Sequence, residues 1–251
     1  MPFTVSHVAA VLPAIGRSGR LPAAALVLGS MAPDYPWFLT RGRTADLSHS
    51  PLGVVTVDLA VGLLAFVLWR RWAQAPVRDL VPRALGERLP PPSGLEVRAL
   101  PWAALAVVLG ALTHLVWDSF THGGRWGVEL VPWLQEPHRG VFGWVWAQDV
   151  SSLLGLLVLV VWGVRRLART GPDPQGLRST AQDRQLAWAL VTAGTVAGVL
   201  VGLVLPADSG VAYLFHVVTF GGTGLAVGVV LGCARWWIRA SRPAEVTGVR
   251  G

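Results

Sequence analysis

The sequence predicts an all-α, polytopic membrane helical bundle with about five transmembrane helices and an N-terminal hairpin of short helices. Three observations predict it. Of 251 residues, 53% are hydrophobic and only 14% are charged, and the mean hydropathy is +0.52; a soluble domain carries about a quarter charged residues. The apolar residues fall in long uninterrupted stretches rather than in a 3.6-residue stripe. The cations cluster between those stretches, and every one is arginine, since the chain contains neither lysine nor asparagine. With its abundant Ala, Gly and Pro, this composition suggests a GC-rich bacterial genome.

Phe3–Ile15 and Leu21–Met31 are two apolar segments split by Gly16-Arg-Ser-Gly-Arg20. Each is too short to span comfortably, so a packed hairpin is expected. Residues 1 to 16 have no basic residue ahead of their apolar stretch, so the segment does not read as a cleaved signal and is expected to remain. Leu52–Trp69, Leu100–Thr121, Val150–Val164, Leu186–Leu205 and Val211–Ala234 read as spans, near the roughly 17–25 residues that cross the hydrocarbon layer. Val150–Val164 is short and would extend back through Trp144-Val-Trp146. Residues 70–99, with Pro90-Pro91-Pro92, and 165–185 read as polar loops. Residues 1–240 are expected to form a single integral membrane domain, with 241–251 as a disordered tail. Gly221-Gly-Thr-Gly224 lies inside a span, where small residues permit close helix packing. The lone Cys233 can form no internal disulfide.

Positive charge orients the bundle. With the loop from Arg70 to Arg98 in the cytoplasm, 17 arginines fall inside and four, Arg41, Arg43, Arg125 and Arg139, outside. The expectation is a multi-pass protein of the bacterial inner membrane with a cytoplasmic C-terminus. Trp69, Trp72, Trp102, Trp188, Trp236 and Trp237 then fall near inner boundaries, and Trp37, Trp126, Trp133, Trp144 and Trp146 near outer ones, where indoles are favoured. The basic balance therefore reports topology, and membrane lipids rather than nucleic acid are the expected partners; no base-reading element is present. The oligomeric state is not legible.

Chemistry concentrates in Leu112-Thr-His114-Leu-Val-Trp-Asp118-Ser-Phe-Thr-His122. A four-residue spacing aligns His114, Asp118 and His122 along one helical stripe. Ionisable groups in hydrocarbon must meet one another, a metal or a water-filled cavity. His114 and Asp118 lie about 21 and 27 Å along the span from Leu100, at about 1.5 Å per residue. Asp34 sits between Pro33 and Pro36 at the outer end of its helix, and His49 immediately precedes a span that enters from the same side. His7, on the first short segment, points into the same half. Mixed His/Asp donors suit a divalent metal, zinc foremost with Mn or Fe as alternatives, better than Ca or Mg. The metal ligands expected are therefore Asp34, His49, His114 and Asp118, with His7, isolated in sequence, added largely on the resemblance given below. A catalytic site would leave a position for water, with His122 or the mid-span carboxylate Asp58 handling the proton.

Other polar residues read as structural. Asp34 could end a helix, and His49 could cap the next one. Asp149 reads as a helix N-cap, His138 as a loop residue and His216 as a packing residue. Arg125 and Arg139 flank the site on its outer side, within reach of a phosphate or headgroup, though ordinary solvated loops explain them as well.

These residues carry a resemblance. Leu109-Gly-Ala-Leu-Thr-His114 through Asp118, with the early Ser6-His7, the Pro33-Asp34 and the His49-Ser50, resembles the YdjM-like membrane-bound metal-dependent hydrolases. Met1-Pro-Phe-Thr-Val-Ser-His7, Gly29-Ser-Met-Ala-Pro-Asp34 and Trp117-Asp-Ser-Phe-Thr-His122 resemble, more closely, a bacterial multi-pass family of unknown function, DUF4184. The match is dense over residues 1 to about 125. It implies a His/Asp site and, by analogy, hydrolysis of a lipid or amphiphilic ester or phosphoester. The chain departs from the hydrolase pattern after Asp34, where Tyr35 and Pro36 replace further acidic residues. Two other function classes compete: a non-catalytic membrane protein whose polar cluster fixes helix packing, and an ion transporter. A transporter needs a polar path to the inner side, and the inner halves of these spans carry almost no ionisable residues.

Overall fold

The computed structural model describes residues 4–17, 19–36, 45–207 and 210–241. Trp37, Arg41, Arg43, the turn residues Asp208 and Ser209, and all but the first residue of the tail expected over 241–251 lie outside the described residues. Among the described residues the regular structure is helical apart from an antiparallel pair of two-residue strands, Pro137–His138 with Val141–Phe142. Five helical segments among the described residues are long and apolar enough to cross a membrane: Pro51–Leu80, Val97–Thr121, Gly143–Arg169, Ala181–Val204 and Tyr213–Ala240. The all-α bundle with five spans is therefore what the chain forms.

The chain packs as two compact units. Unit 1 comprises Met1–Arg71 and Gly94–Arg169, and unit 2 comprises Trp72–Ser93 and Thr170–Gly251. Within unit 1, the N-terminal segment is three short helical turns, Thr4–His7, Val8–Val11 and Leu12–Ala14, which pack against α1 (Ala23–Met31). Ser50 caps the turn Pro51–Val55, its Oγ accepting from the Gly53 amide at 3.0 Å. After a break at Thr56, α2 (Val57–Leu68) follows, and then the long α3 (Leu100–Thr121). The helix α4 (Gly143–Arg169) closes the unit.

Glycines decide how closely these helices approach. A Cβ on Gly29 of α1 would overlap the Val107 carbonyl of α3. A Cβ on Gly110 of α3 would stand 2.5 Å from the Leu26 carbonyl. With hydrogen at both positions the two backbones touch, as small residues allow where there is no hydrophobic drive between helices in lipid. Val8, Val11, Leu26, Phe66, Ala103, Ala106 and Val107 form the buried apolar core of this unit.

In unit 2, α5 (Ala181–Val204) and α6 (Gly210–Ala240) run as a close pair. Cβ atoms on Gly198 and Gly224 would overlap the backbone of the opposite helix, so Gly221-Gly-Thr-Gly224 does permit close packing. Thr180 opens α5 with a capping box: its Oγ1 accepts from the Asp183 amide, while Asp183 accepts from the Thr180 amide.

Several local expectations change. The polar loop expected over 70–99 is helical in part, with Gln74–Leu80 and Arg83–Gly86 both helices. Apolar Trp69, Ala73, Val77 and Leu80 recur at spacings of four, four and three between the arginines and carry the helix onward. The loop expected over 165–185 is shorter, since α4 runs to Arg169 and α5 starts at Ala181. Asp149 is not an N-cap, because α4 already begins at Gly143 and Asp149 is an exposed position inside it. His138 belongs to the short hairpin, where its imidazole Nε2 meets the Trp133 carbonyl at 2.8 Å.

Candidate metal centre

The last two turns of α3 carry His114 and Asp118, both buried, and His122 follows as the helix's C-terminal cap. α1 and the prolines after it deliver Asp34 to the same place, and the Thr4–His7 turn delivers His7, which has no exposed surface. Gly155 of α4 lets Ser6 pack closely enough to hold that turn: a Cβ there would stand 2.9 Å from the Ser6 carbonyl. His49 arrives from the turn before Pro51. Because Ser50 caps the helix that follows, His49 does not have to.

Asp118 is the hub. Its Oδ1 lies 3.4 Å from His7 Nε2 and 3.6 Å from His122 Nδ1. Its Oδ2 lies 3.3 Å from His114 Nε2 and 3.5 Å from His49 Nε2. Asp34 Oδ1 in turn lies 3.5 Å from both His49 Nε2 and His114 Nε2. The His7 and His114 rings stack with centroids 3.8 Å apart, and Trp117 leans on His7 at 5.3 Å. All five expected ligands therefore meet in one cluster, and His122 joins its edge with a side chain 28% exposed.

These spacings test whether the residues fit a metal. Ordinary N–H···O bonds close to about 2.7–3.2 Å, and the four-atom set of His49 Nε2, His114 Nε2, Asp34 Oδ1 and Asp118 Oδ2 stays outside that range. Donors about 2.0–2.2 Å from a tetrahedral ion stand about 3.3–3.6 Å from one another. The four imidazole-to-carboxylate distances, 3.3–3.5 Å, match the second spacing. Buried polar atoms are normally partnered, yet His114 Nε2, Asp118 Oδ1 and both ring nitrogens of His7 are buried with no hydrogen bond. Two overlapping groups, His7/Asp34/His114 and His49/His114/Asp118, bring their donor atoms within 4.8 Å of one another. These buried groups could hold a metal ion.

The supporting contacts prepare the donors. His114 Nδ1 lies 2.8 Å from the Ser30 carbonyl, which can only accept. Nδ1 therefore carries a proton, and a neutral ring presents a bare Nε2 to the two carboxylates, the tautomer a metal requires. Thr4 Oγ1 donates to Asp34 Oδ2 at 2.5 Å, leaving Oδ1 for the cluster. Ser48 Oγ meets His49 Nδ1 at 3.1 Å, and Arg125 Nη1 donates to the His49 carbonyl at 3.3 Å. Arg125 thus braces a site residue, whereas Arg139 lies exposed at the tip of the hairpin. Sequence reasoning did not single out Thr4 or Ser30, although both lie within the blocks that carried the resemblance.

Titration follows from this packing. Burial pushes the His7 imidazole down to about 3, with the neighbouring His114 adding to the effect, so His7 is neutral. Burial also acts to lower His49, but the Asp118 and Asp34 carboxylates outweigh it and hold the ring up to about 9. Burial acts to raise the Asp34 carboxyl, and its contacts with His114, His49 and Thr4 outweigh that and hold it well below the usual carboxylate range.

Asp58 lies in the first turn of α2, completely buried, and neither carboxylate oxygen has a hydrogen bond. It is absent from the two groups of converging donors. His216 lies within α6 in unit 2, its ring 6.4 Å from that of Phe220, and takes no part in the cluster.

No curated protein and no solved structure matches the chain. The model of a domain of unknown function, DUF4184, matches residues 1–234, taking in every residue of the cluster. By that match the chain belongs to the DUF4184 family.

Proposed function

We propose that this protein is a membrane-bound, metal-dependent hydrolase of a lipid ester or phosphoester. The observation that carries the reading is the ring of donor atoms at 3.3–3.5 Å on His49, His114, Asp34 and Asp118, longer than ordinary N–H···O bonds and matching the spacing of donors around one ion. His49, His114, Asp34 and Asp118 would hold the ion, with His7 completing the set. Zinc suits two imidazoles and two carboxylates, and Mn or Fe are the alternatives. A bound ion of this kind acidifies a coordinated water and so supplies hydroxide near neutral pH.

The chain's own residues do the rest. Ser30 fixes the His114 tautomer and Thr4 turns Asp34. His122, between Asp118 and solvent, accepts the proton released at the site and passes it outward. Asp58 is a buried carboxylate that serves as an alternative proton acceptor. The apolar surface of the spans admits an amphiphilic substrate from the bilayer. Hydrolysis as the reaction class rests on the resemblance of Leu109–Asp118 to the YdjM-like hydrolases. The asymmetry of the arginines supports a bacterial inner-membrane protein with a cytoplasmic C-terminus and a site toward the outer leaflet.

Neither competing class explains the geometry as well. A purely structural His/Asp cluster gains most by closing to the about 2.7–3.2 Å of ordinary hydrogen bonds, and these contacts stay longer. A transporter needs a polar route through unit 1, but the α3 residues two to three turns further in, Ala103, Ala106 and Val107, sit in an apolar core.

The test is metal analysis of the purified protein beside a His114→Ala/Asp118→Ala variant, followed by lipid hydrolysis in vesicles. Stoichiometric metal that is lost in the variant, together with metal-dependent release of fatty acid or headgroup phosphate, is expected. Equal metal content in the two proteins would remove the enzyme reading. Metal without turnover on either ester class would remove the hydrolase assignment alone.

A further inference from the structure

Unit 2 carries an open, two-part pocket, well apart in sequence from the metal ligands. Its polar part, about 280 Å³, is lined by Arg178, Asp183, Arg235, Trp236 and Arg239 among others. Its apolar part, about 220 Å³, is lined by residues such as Val77, Val191, Leu225 and Val229. Leu80, Ala187 and Gly232 line both parts, so the two are continuous.

The polar part is built rather than incidental. Asp79 is buried and accepts from the amides of Arg178 at 3.0 Å and Ser179 at 3.1 Å, from Ser179 Oγ at 2.8 Å and from Trp236 Nε1 at 2.6 Å. It clamps the turn before α5 onto α6 and so fixes where Arg178 stands. Buried Arg78 reinforces the same turn by donating to the Asp173, Gln175 and Leu89 carbonyls. The lone acid of the pocket, Asp183, is already engaged by Thr180 and by an ion pair with Arg239. No hydrogen bond or ion pair engages the Arg178 or Arg235 guanidinium among the described residues. The result is a cationic cup opening into an apolar groove past Leu80, Ala187 and Gly232.

We propose that unit 2 binds one anionic glycerophospholipid, its phosphate between Arg178 and Arg235 and an acyl chain along the apolar groove past Gly232. Planar guanidinium groups grip phosphate oxygens in pairs. The groove accepts only hydrocarbon, so a soluble phosphate leaves half the cavity unfilled. A choline headgroup would bring a fixed cation against two unpaired arginines. The site is independent of the metal centre and holds whether or not that centre is catalytic.

Native mass spectrometry of the full chain in detergent, with equal amounts of dioleoylphosphatidylglycerol and dioleoylphosphatidylcholine, tests this. Two arginines near an anionic headgroup should favour phosphatidylglycerol by about thirtyfold. Arg178→Gln/Arg235→Gln should abolish the preference. Gly232→Leu should also abolish retention without changing any charge: a Cβ there stands 3.6 Å from Ala187 Cβ and 3.9 Å from Leu80 Cδ1, so the backbone tolerates it and the added side chain fills the passage. Equal retention of the two lipids by the unaltered protein overturns the proposal, and that comparison needs no variant to fold. Undiminished phosphatidylglycerol binding in Gly232→Leu overturns it too, since attraction would then be a general surface effect. Displacement of the lipid by millimolar inorganic phosphate would assign the cup to free phosphate instead.

Discussion

Replacing Asp118 with Asn separates a metal centre from a structural lock. Asp118 touches four imidazoles, His7, His49, His114 and His122, at 3.3–3.6 Å. Asn keeps the shape, removes the charge and offers one oxygen in place of two. If the cluster holds metal, binding stabilises the fold by about 4 kcal/mol when the free ion is a thousandfold above its dissociation constant. For a chain of this size that is about 8–16 °C in Tm. The unaltered protein should lose this margin on treatment with a chelator, Asp118→Asn should start near the chelated value, and chelator should not move it further. Thermal unfolding in detergent, with elemental analysis of the same samples, reads both. A structural lock behaves differently: chelator leaves the unaltered protein alone, while Asp118→Asn loses about 3–5 kcal/mol for breaking a buried ionic contact. Chelator-insensitive melting combined with a large loss in the variant would refute the metal centre.

Other consequences follow from the same geometry. His49 is held up to about 9 before metal binds, so below that pH an incoming ion must displace its proton. Metal affinity should therefore rise about tenfold per pH unit from pH 6 to 8 in an isothermal titration, and a flat profile would show that His49 is not a ligand. In the metal-free protein the same raised pKa contributes stability that is complete below pH 6.5 and disappears as pH rises through about 9. Gly29→Ala forces α1 away from the Val107 carbonyl and with it the Ser30 carbonyl from His114. A loss of about 1–3 kcal/mol by chemical denaturation, accompanied by loss of metal, is expected; metal binding unchanged in a destabilised variant would uncouple helix spacing from the site. Asp58→Asn should keep its metal and lower turnover by about 10²–10⁴ if this carboxylate moves the proton, whereas unchanged turnover leaves that role to His122.

Much of the molecule is legible in its residue order. Span number follows from apolar run length, because hydrocarbon rejects unpaired backbone and leaves helices as the solution. His114, Asp118 and His122 are legible as one face because helical periodicity is local. Other features escape such reading. Arginine-bearing residues 70–80 look like a loop, yet apolar side chains at helical spacing carry the helix through them. Asp149 looks like a cap because a serine pair follows it, but α4 starts six residues earlier, at Gly143.

Residue order alone determined that this is an all-α bundle with five helices apolar enough to span a membrane, and it marked the rare ionisable groups as the candidate site, since each is costly to bury in lipid. Only the tertiary structure decided that His7, Asp34 and His49, from three separate segments, close on the α3 pair. That convergence depends on contacts between distant backbones, the glycine seams of α1 against α3 and of α4 against Ser6, and on the Ser30 carbonyl that sets one imidazole. Such contacts are set by three-dimensional packing, which local sequence patterns do not encode.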